Sequence, residues 1–410
     1  MIGKDRNVES KINGFLKNFP IVAILGARQT GKTTLVKQIA PNWKYIDLEN
    51  PNDFDRVSRD PVFFFEQYPQ ALIIDEAQEF PAIFKVLRGV IDEAREIKGR
   101  FIITGSSSLE LLEHISESLA GRVALIELGT FKSNEFHNTP LSAFYELFED
   151  KLDKTKLSNL RVNLNLSQIH QVWLKGGYPE VSIKNDSLFF NQWMENYRNT
   201  YINRDIAKLF PKLNKVAYRR FLTILSKLSA SIINKQEIAR DIEMSEGTIR
   251  EYMSIIEGTY IWRNLPSYEK NIRKSVVKMP KGYVRDTGLL HFLLNINNLE
   301  ELYNHPIIGN SFESFVIEEI VKGIQAKDVY NWQAYYYRTR NNAEIDLILD
   351  GPFGVLPIEV KYGQSIKLNE LRSLDQFVIE HNLPFGIVVN QANSVEWINP
   401  RLIQVPVGCL

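Results

Sequence analysis

The feature that most constrains this chain is a glycine-containing loop that follows an apolar stretch and precedes a helical pattern. Residues 21–25 read Ile-Val-Ala-Ile-Leu, which predicts a buried strand, and residues 26–33 read Gly-Ala-Arg-Gln-Thr-Gly-Lys-Thr. The second stretch fits G-x-x-x-x-G-K-T, in which glycines let backbone N–H groups surround phosphates and the next helix adds its positive dipole end. Strand, loop and helix in this order predict an α/β fold with a parallel sheet that binds a nucleoside triphosphate.

The loop also assigns roles to individual residues. We expect the ammonium group of Lys32 to reach the β- and γ-phosphates, and the hydroxyl group of Thr33 to ligate Mg²⁺. ATP and Mg²⁺ are therefore the predicted cofactors. The candidate nucleotide-binding residues are Gly26, Ala27, Arg28, Gln29, Thr30, Gly31, Lys32, Thr33, Thr34 and, from a later strand end, Ser106.

A second motif supports hydrolysis of the bound nucleotide. Residues 71–74 read Ala-Leu-Ile-Ile, a strand pattern, and the acids Asp75 and Glu76 follow directly. We expect Asp75 to hold Mg²⁺ through water and Glu76 to polarise the attacking water as a general base. The alternative is a strand end with two solvated acids, but such a pair rarely falls one helix-and-strand unit after a phosphate-binding loop.

Two later segments contain candidates for contact with the terminal phosphate. The strand pattern at 100–104 ends in Gly-Ser-Ser-Ser, so Thr104 or Ser106 could sense the γ-phosphate, with an ordinary turn as the alternative. Arg122 follows a glycine and is a candidate catalytic residue that would stabilise transition-state charge. It could act within its own chain or across a subunit interface, which would require an oligomer; a surface arginine is the alternative.

Composition limits the class of protein. The 410 residues are 44% hydrophobic, which supports well-formed cores, and 49 basic residues balance 49 acidic ones. No overall field attracts nucleic acid, so DNA binding would need a local patch. The single cysteine, Cys409, excludes a disulfide framework. Because the N-terminus is polar and no apolar run reaches membrane-spanning length, we expect no membrane partner and a cytoplasmic location.

The alternation of patterns divides the chain. Strand and helix patterns alternate from about residue 20 to 130, which predicts a parallel sheet with helices on both faces and the nucleotide at the carboxyl ends of the strands. The predicted strands are 21–25, 43–47, 71–74, 100–104 and 123–128. The predicted domains are a P-loop ATPase domain (1–130), a helical, lid-like region (131–230), a winged-helix-like region (231–290) and an α/β domain (291–410).

The winged-helix prediction depends on residues 232–257. Two helical patterns, 236–242 and 246–256, flank a short turn, and Ser245 is a suitable N-cap for the second helix. A strand pattern and a basic run follow, with seven basic residues against one acid between positions 263 and 285. Such a run suits phosphate contacts, so DNA is a predicted partner through 236–285. A protein-docking module or an ATPase lid is the alternative.

A second set of chemical residues lies near the C-terminus. Two strand patterns flank the turn Asp-Gly-Pro-Phe-Gly; the first contains Asp346, and the second places Glu359 and Lys361 on one face. Asp346 and Glu359 could hold a divalent metal while Lys361 orients or deprotonates a water molecule, which is the layout of a phosphodiesterase site. Glu313, on a preceding helix, is a possible further acid. The element order predicts an α-β-β-β-α-β core.

Two other interpretations of this C-terminal set remain open. It could be a surface hairpin with a salt-bridged pair, or a nuclease-like fold that binds without cleaving.

The whole chain resembles the bacterial and archaeal AAA-type P-loop ATPases that end in a domain of unknown function with a restriction-endonuclease-like core. The resemblance rests on seven segments: Gly26–Thr33, Leu72–Glu76, Thr104–Ser107, Leu119–Arg122, Gly177–Glu180, Arg285–Leu289 and the set Asp346, Glu359 and Lys361. It implies nucleotide and Mg²⁺ binding by Lys32 and Thr33, and hydrolysis by Asp75 and Glu76. It also implies a C-terminal nuclease-like site at Asp346, Glu359 and Lys361.

These observations predict an ATPase whose nucleotide state is coupled to a nuclease-like C-terminal domain that acts on or near DNA. One alternative is a nucleotide-dependent regulatory switch that binds protein partners. Another is a winged-helix DNA-binding regulator with an inactive nuclease fold.

Overall fold

The computed structural model describes residues 3–106, 114–115, 117–184, 186–206, 210, 213–269, 278–339 and 343–410. The chain divides into two compact units. The first comprises Met1–Thr130 with Gly258–Tyr260, and the second comprises Phe131–Glu257 with Ile261–Leu410. The finer division into four domains remains a prediction.

The first unit is built on a parallel sheet of five strands in the order β2-β3-β4-β1-β5. The strands are β1 (Ile21–Leu25), β2 (Lys44–Asp47), β3 (Leu72–Asp75), β4 (Phe101–Gly105) and β5 (Val123–Glu127). The described helices are α1 (Glu9–Asn18), α2 (Lys32–Ile39), α3 (Pro51–Ser58), α4 (Pro61–Gln67) and α5 (Ile83–Asp92), with a 3₁₀ turn at Ala77–Glu79.

The sequence explains this sheet. The strands β1, β3 and β4 are rich in β-branched residues and are buried along their whole length, as expected for a parallel sheet covered on both faces. All five strand predictions agree with the structure to within one residue at each end, and the predicted α/β fold is confirmed.

The second unit begins with helices and a small antiparallel sheet. The helices before its second sheet are α6 (Ser133–Phe136), α7 (Lys154–Leu157), α8 (Leu166–Lys175), α9 (Pro179–Lys184), α10 (Ser187–Tyr197), α11 (Lys215–Lys227), α12 (Lys235–Asp241), α13 (Glu246–Gly258), α14 (Thr287–Leu293), α15 (Leu299–Tyr303) and α16 (Ile308–Ala326), with a 3₁₀ helix at Ala143–Phe148 and a π-helix at Arg198–Asp205. The small sheet has the order β6-β8-β7 and comprises β6 (Ser231–Ile232), β7 (Trp262–Leu265) and β8 (Lys281–Val284).

The predicted helix pair in this region is present as α12 and α13. The backbone N–H of Thr248 donates to Ser245 Oγ at 3.1 Å, which is the predicted N-cap of the second helix. A strand follows directly, as predicted. The winged-helix interpretation of these elements remains a prediction.

The C-terminal part of the second unit is a mixed sheet of six strands in the order β13-β14-β12-β11-β10-β9. The strands are β9 (Gln333–Arg338), β10 (Glu344–Gly351), β11 (Gly354–Val360), β12 (Gly386–Asn390), β13 (Glu396–Asn399) and β14 (Leu402–Pro406), and α17 (Arg372–Glu380) lies between β11 and β12 in sequence. The helix α16 is buried along most of its length. The predicted α-β-β-β-α-β order is therefore confirmed, and β13 and β14 extend it.

None of the helices in the described ranges is long and apolar enough to cross a membrane.

Candidate functional site

The phosphate-binding loop between β1 and α2 depends on two glycines. Gly31 has a φ of +91°, a left-handed conformation that side chains disfavour. A Cβ atom at Gly26 would lie 2.2 Å from the carbonyl oxygen of Leu128, so that a side chain would collide with neighbouring backbone. The two glycines thus allow a conformation and a close approach that other residues would disturb.

Lys32 lies at the start of α2 with its ammonium group inside this loop. The Lys32 Nζ atom donates to the carbonyl oxygens of Gly26 at 3.0 Å and Ala27 at 2.9 Å. Burial lowers the pKa of Lys32, and the carboxylates of Glu76 and Asp75 oppose that shift. The structure therefore places this positive charge at the predicted phosphate site; its contact with phosphate stays a prediction.

Asp75, at the end of β3, accepts hydrogen bonds from three hydroxyl groups on three different elements. Thr33 Oγ1 donates to Asp75 Oδ2 at 2.7 Å, and the hydroxyl of Tyr45, on β2, donates to the same oxygen at 2.5 Å. The hydroxyl of Thr104, on β4, donates to Asp75 Oδ1. Side chains from β2, β4 and the start of α2 therefore meet at the carboxylate that ends β3.

These donors fit the predicted Mg²⁺ ion. The Thr33 hydroxyl and the Asp75 carboxylate are hydrogen-bonded to each other, so both can reach the same ion. Mg²⁺ is commonly bound by one or two protein oxygen ligands together with nucleotide phosphates and water. Sequence reasoning missed Tyr45. The only available signal was its position in the strand next to the one that ends in Asp75.

Glu76 directly follows β3 in an unusual conformation. Its φ of +52° is left-handed, which is strained for a residue with a side chain and is often retained at functional sites. Gln78 Nε2 donates to Glu76 Oε2 at 2.6 Å, and the backbone N–H of Glu76 donates to Thr104 Oγ1 at 3.2 Å. Glu76 is therefore held beside Asp75, and its role as general base remains a prediction.

The two candidates for sensing the γ-phosphate differ in the structure. Thr104 is buried and joins the Asp75 carboxylate to the backbone of Glu76. Ser106 is also buried and lies just after β4, but the seven residues that follow it, 107–113, fall outside the described ranges. Thr104 is therefore the better-supported candidate.

The structure corrects the prediction that Arg122 acts at the nucleotide within its own chain. Arg122 immediately precedes β5, whose first residue pairs with Ile21 at the start of β1, whereas the phosphate loop follows the other end of β1. A five-residue strand spans about 16 Å, so Arg122 lies at the opposite edge of the sheet. There Arg122 Nε and Nη2 donate to the carboxylate of Asp92 at 2.7 and 2.8 Å.

The C-terminal candidates come together around the β10–β11 pair. The backbone N–H of Val360 donates to Asp346 Oδ2 at 2.9 Å, which places Asp346 beside the end of β11. Lys361 Nζ lies 2.7 Å from Glu359 Oε1. Asp346 and Glu359 are both mostly buried. The predicted set is therefore assembled, although the restriction-endonuclease-like core itself remains a prediction.

A lysine that sequence reasoning assigned to the basic run completes this cluster. Lys281, on β8, is 4% exposed and places its Nζ 2.7 Å from Glu313 Oε1, 2.8 Å from Glu344 Oε1 and 3.3 Å from Asp346 Oδ1. The hydroxyl of Tyr283 donates to Glu313 Oε1 at 2.8 Å. We call Lys281, Glu313, Glu344, Asp346, Glu359 and Lys361 the carboxylate–lysine cluster.

Burial dominates the electrostatics of this cluster. It raises the pKa of Glu313 to about 8, with a further increase from Asp346, while Lys281 lowers it. Burial and the Asp346 charge also raise the pKa of Glu359 to about 8, against the effect of Lys361. Burial alone would lower the pKa of Lys281, but the facing negative groups outweigh it and hold that pKa well above its usual range.

The predicted metal-binding role of Asp346 and Glu359 does not fit this arrangement. Asp346 Oδ1 contacts the Lys281 ammonium group, Asp346 Oδ2 accepts from Val360, and Glu359 Oε1 accepts from Lys361. Within the described ranges, no group of three or more His, Cys, Asp or Glu residues is arranged to hold a metal ion. The Lys281 ammonium group therefore contacts one of the two predicted metal ligands, Asp346, and Lys361 contacts the other, Glu359. Glu359 Oε2 has no hydrogen-bond partner among the described residues.

The predicted basic DNA-binding run remains a prediction, and its described members lie beside acids. Arg263 and Arg285 pair with the buried carboxylate of Glu318 rather than facing outward. Lys278 pairs with Glu269, and Lys281 belongs to the carboxylate–lysine cluster. The other three basic residues, Lys270, Arg273 and Lys274, lie outside the described ranges. The described members of the run are thus neutralised by nearby acids.

Comparison with curated proteins places the chain among mycobacterial relatives. It is 32% identical over 354 residues to an uncharacterized protein of Mycobacterium tuberculosis, and equally to one of Mycobacterium bovis. The match covers 85% of this chain and 72% of each relative. This chain belongs to their family.

Three family models match successive parts of the chain. An AAA domain matches residues 18–137, a domain of unknown function (DUF8612) matches 166–300, and a second domain of unknown function (DUF4143) matches 308–410. The predicted AAA-type P-loop ATPase is therefore confirmed for the N-terminal part. Lys281 lies in the second match, whereas Asp346 lies in the third.

Solved structures that resemble the chain include P-loop ATPases. A Walker-type ATPase of Pyrococcus abyssi aligns with a TM-score of 0.42 at 14% identity, covering 71% of this chain and 98% of that one. A RuvB variant of Thermotoga maritima aligns with a TM-score of 0.29 at 16% identity, covering 63% and 89%. Similarity at this level carries no information about function.

Proposed function

We propose that this family member binds and hydrolyses ATP with Mg²⁺, and that its nucleotide state switches the C-terminal half between two binding states. The observation that carries the proposal is the convergence of Thr33, Tyr45 and Thr104 on the Asp75 carboxylate beside the phosphate loop. Binding of Mg²⁺ with nucleotide at Asp75 would therefore alter hydrogen bonds that join β2, β3, β4 and the first residues of α2.

Each residue has a distinct task in this proposal. Lys32 and the loop N–H groups bind the phosphates, and Thr33 with Asp75 holds Mg²⁺. The bound ion would neutralise charge on the phosphates during transfer. Glu76 orients the attacking water, and Thr104 keeps Asp75 and Glu76 in register because it bonds to both.

The side-chain contacts in the second unit favour a nucleotide-dependent switch over a metal-dependent nuclease. In the carboxylate–lysine cluster the Lys281 ammonium group contacts Asp346, one of the two predicted metal ligands, and the described basic residues between 263 and 285 are paired with acids. Coupling of ATP hydrolysis to DNA cleavage, which the sequence favoured, therefore has less support than nucleotide-dependent binding of a protein partner.

ATP turnover tests the first half of the proposal. We expect turnover in the wild-type chain and its loss in Lys32→Ala and Glu76→Gln, with ATP binding retained in Glu76→Gln. Lys17→Ala, an exposed lysine on α1, is the matched control. Equal turnover in the wild type and Lys32→Ala would reject the ATPase assignment.

Hydrogen–deuterium exchange tests the second half. We expect exchange within residues 131–410 of Glu76→Gln to differ between the ATP-bound and ADP-bound states. Identical exchange would reject the switch. DNA cleavage in the presence of Mg²⁺ or Mn²⁺ that disappears in Asp346→Ala would instead support the nuclease interpretation.

A further inference from the structure

The carboxylate–lysine cluster contains a cation that the chain itself supplies. The ammonium group of Lys281 lies within 3.3 Å of carboxylate oxygens on three side chains, Glu313, Glu344 and Asp346. These carboxylates come from a helix, α16, and a strand, β10, whereas Lys281 comes from the separate small sheet. The lysine therefore reaches the acids from outside the six-stranded sheet.

A lysine ammonium group suits this position for a simple reason. It is a compact point charge with three donors, so it can satisfy several carboxylates at once, much as a small metal ion does. Hard divalent cations prefer the same carboxylate oxygens. Lys281 and a divalent cation would consequently compete for Glu313 and Asp346.

The charge count shows what Lys281 does for the cluster. Four carboxyl groups, those of Glu313, Glu344, Asp346 and Glu359, face two ammonium groups, those of Lys281 and Lys361. Loss of Lys281 would leave the four carboxyl groups with one ammonium group in a mostly buried site, so that a proton or another cation would have to balance the carboxylates that stay ionised.

One oxygen is already free to receive such a cation. Glu359 is 7% exposed, and its Oε2 atom has no hydrogen-bond partner among the described residues. A buried carboxylate oxygen without a partner is unusual and costs free energy. A cation that entered the cluster beside Glu359 could take this oxygen as a ligand.

We propose that Lys281 is a built-in cation that occupies the place of a divalent ion, and that a site for Mn²⁺ or Mg²⁺ is latent beneath it. This inference goes beyond the proposed ATPase switch and does not depend on it. The wild-type cluster is closed to divalent metal, and removal of the ammonium group opens it.

Mn²⁺ binding to the full-length, nucleotide-free chain tests this inference by isothermal titration calorimetry. We expect Lys281→Met to gain one Mn²⁺ per chain with at least tenfold tighter binding than the wild type. The double variant Lys281→Met with Asp346→Asn loses that gain. Lys278→Met, a nearby lysine that pairs with Glu269 outside the cluster, behaves as the wild type. A folded Lys281→Met without new Mn²⁺ binding overturns the proposal.

A second comparison leaves Lys281 in place, so it remains informative if Lys281→Met fails to fold. Asp346→Asn alone should bind Mn²⁺ as the wild type does, because the wild-type cluster is closed. A loss of Mn²⁺ binding in Asp346→Asn would show that the wild type already holds metal there and would overturn the proposal. ATP turnover is not measured in either comparison, so failure here is separate from failure of the ATPase assignment.

Discussion

The substitution Thr104→Val is the sharpest test of the Asp75 hydroxyl cluster. Valine keeps the shape of threonine and the β-branched character of β4, but it removes the hydroxyl that donates to Asp75 Oδ1 and accepts from the backbone N–H of Glu76. Thr104 is fully buried, so water does not readily replace either bond.

The size of the effect follows from these two bonds. A hydrogen bond to a charged group contributes about 1.5–3 kcal/mol, and about 1.4 kcal/mol corresponds to a factor of ten. Without these bonds, Asp75 and Glu76 are no longer held in place. If their displacement affects mainly the transition state, ATP turnover should fall by about 10–150-fold. The affinity for ATP should change little, because the Thr104 hydroxyl bonds to Asp75 and Glu76 rather than to a residue of the phosphate loop.

Steady-state kinetics and nucleotide titration separate these two quantities. We expect kcat to fall while the Kd for ATP stays within about threefold of the wild type. Thr223→Val, an exposed position whose hydroxyl bonds only to its own helix, is the matched control. Wild-type turnover in Thr104→Val, or loss of ATP binding without a change in kcat, would refute the reasoning.

Three further predictions concern the loop and the second unit. Gly26→Ala should weaken ATP binding at least about tenfold by titration, since its Cβ would lie 2.2 Å from the Leu128 carbonyl oxygen. Lys132→Met should lower stability by about 3–5 kcal/mol in denaturant unfolding, because it leaves the buried carboxylate of Glu319 without its ion-pair partner at 3.2 Å. Glu313, with a pKa near 8 against an ordinary 4.5, keeps its proton in the folded state while the unfolded chain loses it. Stability should therefore fall as pH rises from about 4.5 to 8, and a melting series should show a smaller slope in Glu313→Gln.

Each of these predictions has a matched control. Gly14→Ala lies on α1, where an added Cβ meets nothing within 4 Å, and it should not weaken ATP binding. Lys156→Met removes an exposed ion pair with Asp150 and should cost less than about 1 kcal/mol. Glu66→Gln, an exposed acid, should leave the pH slope unchanged. Equal effects in a variant and its control would contradict the corresponding prediction.

The parts of the fold that sequence predicted well are those governed by local chemistry. The strands β1, β3 and β4 are short runs rich in β-branched residues, which is typical of strands buried on both faces of a parallel sheet. The phosphate loop is a contiguous pattern of ten residues or fewer, and Ser245 caps α13 through a bond three residues away. In each case the determining residues are neighbours in sequence.

The parts that sequence missed depend on long-range pairing. Lys281 is 65 residues from Asp346, and nothing in a basic run distinguishes a lysine that faces solvent from one that inserts among acids. Arg122 was misassigned for a related reason. The parallel direction of β5 against β1 places a residue that precedes β5 at the amino edge of the sheet, whereas the phosphate loop follows the carboxyl end of β1.

The helix α16 shows how a signal could reach the carboxylate–lysine cluster within the second unit. Two adjacent acids on this helix face different segments. Glu319 accepts from the backbone N–H of Ser133 and pairs with Lys132, just beyond the last strand of the first sheet in sequence. Glu318 pairs with Arg263, on the small sheet that carries Lys281. Because a buried helix of 19 residues moves largely as one body, a displacement of the segment that begins at residue 131 would act on both.

Glu313 lies on the same helix, so a movement of α16 in the proposed switch would act directly on the carboxylate–lysine cluster. Its carboxylate contacts Lys281 at 2.7 Å, so a shift of α16 relative to β8 changes that distance directly. A hydrogen bond of this length is lost when its donor and acceptor move apart by about 1 Å, because N–H···O distances beyond about 3.2 Å no longer form one. A movement of α16 by about that distance would therefore break the contact between Glu313 and Lys281 and alter the carboxylate–lysine cluster directly.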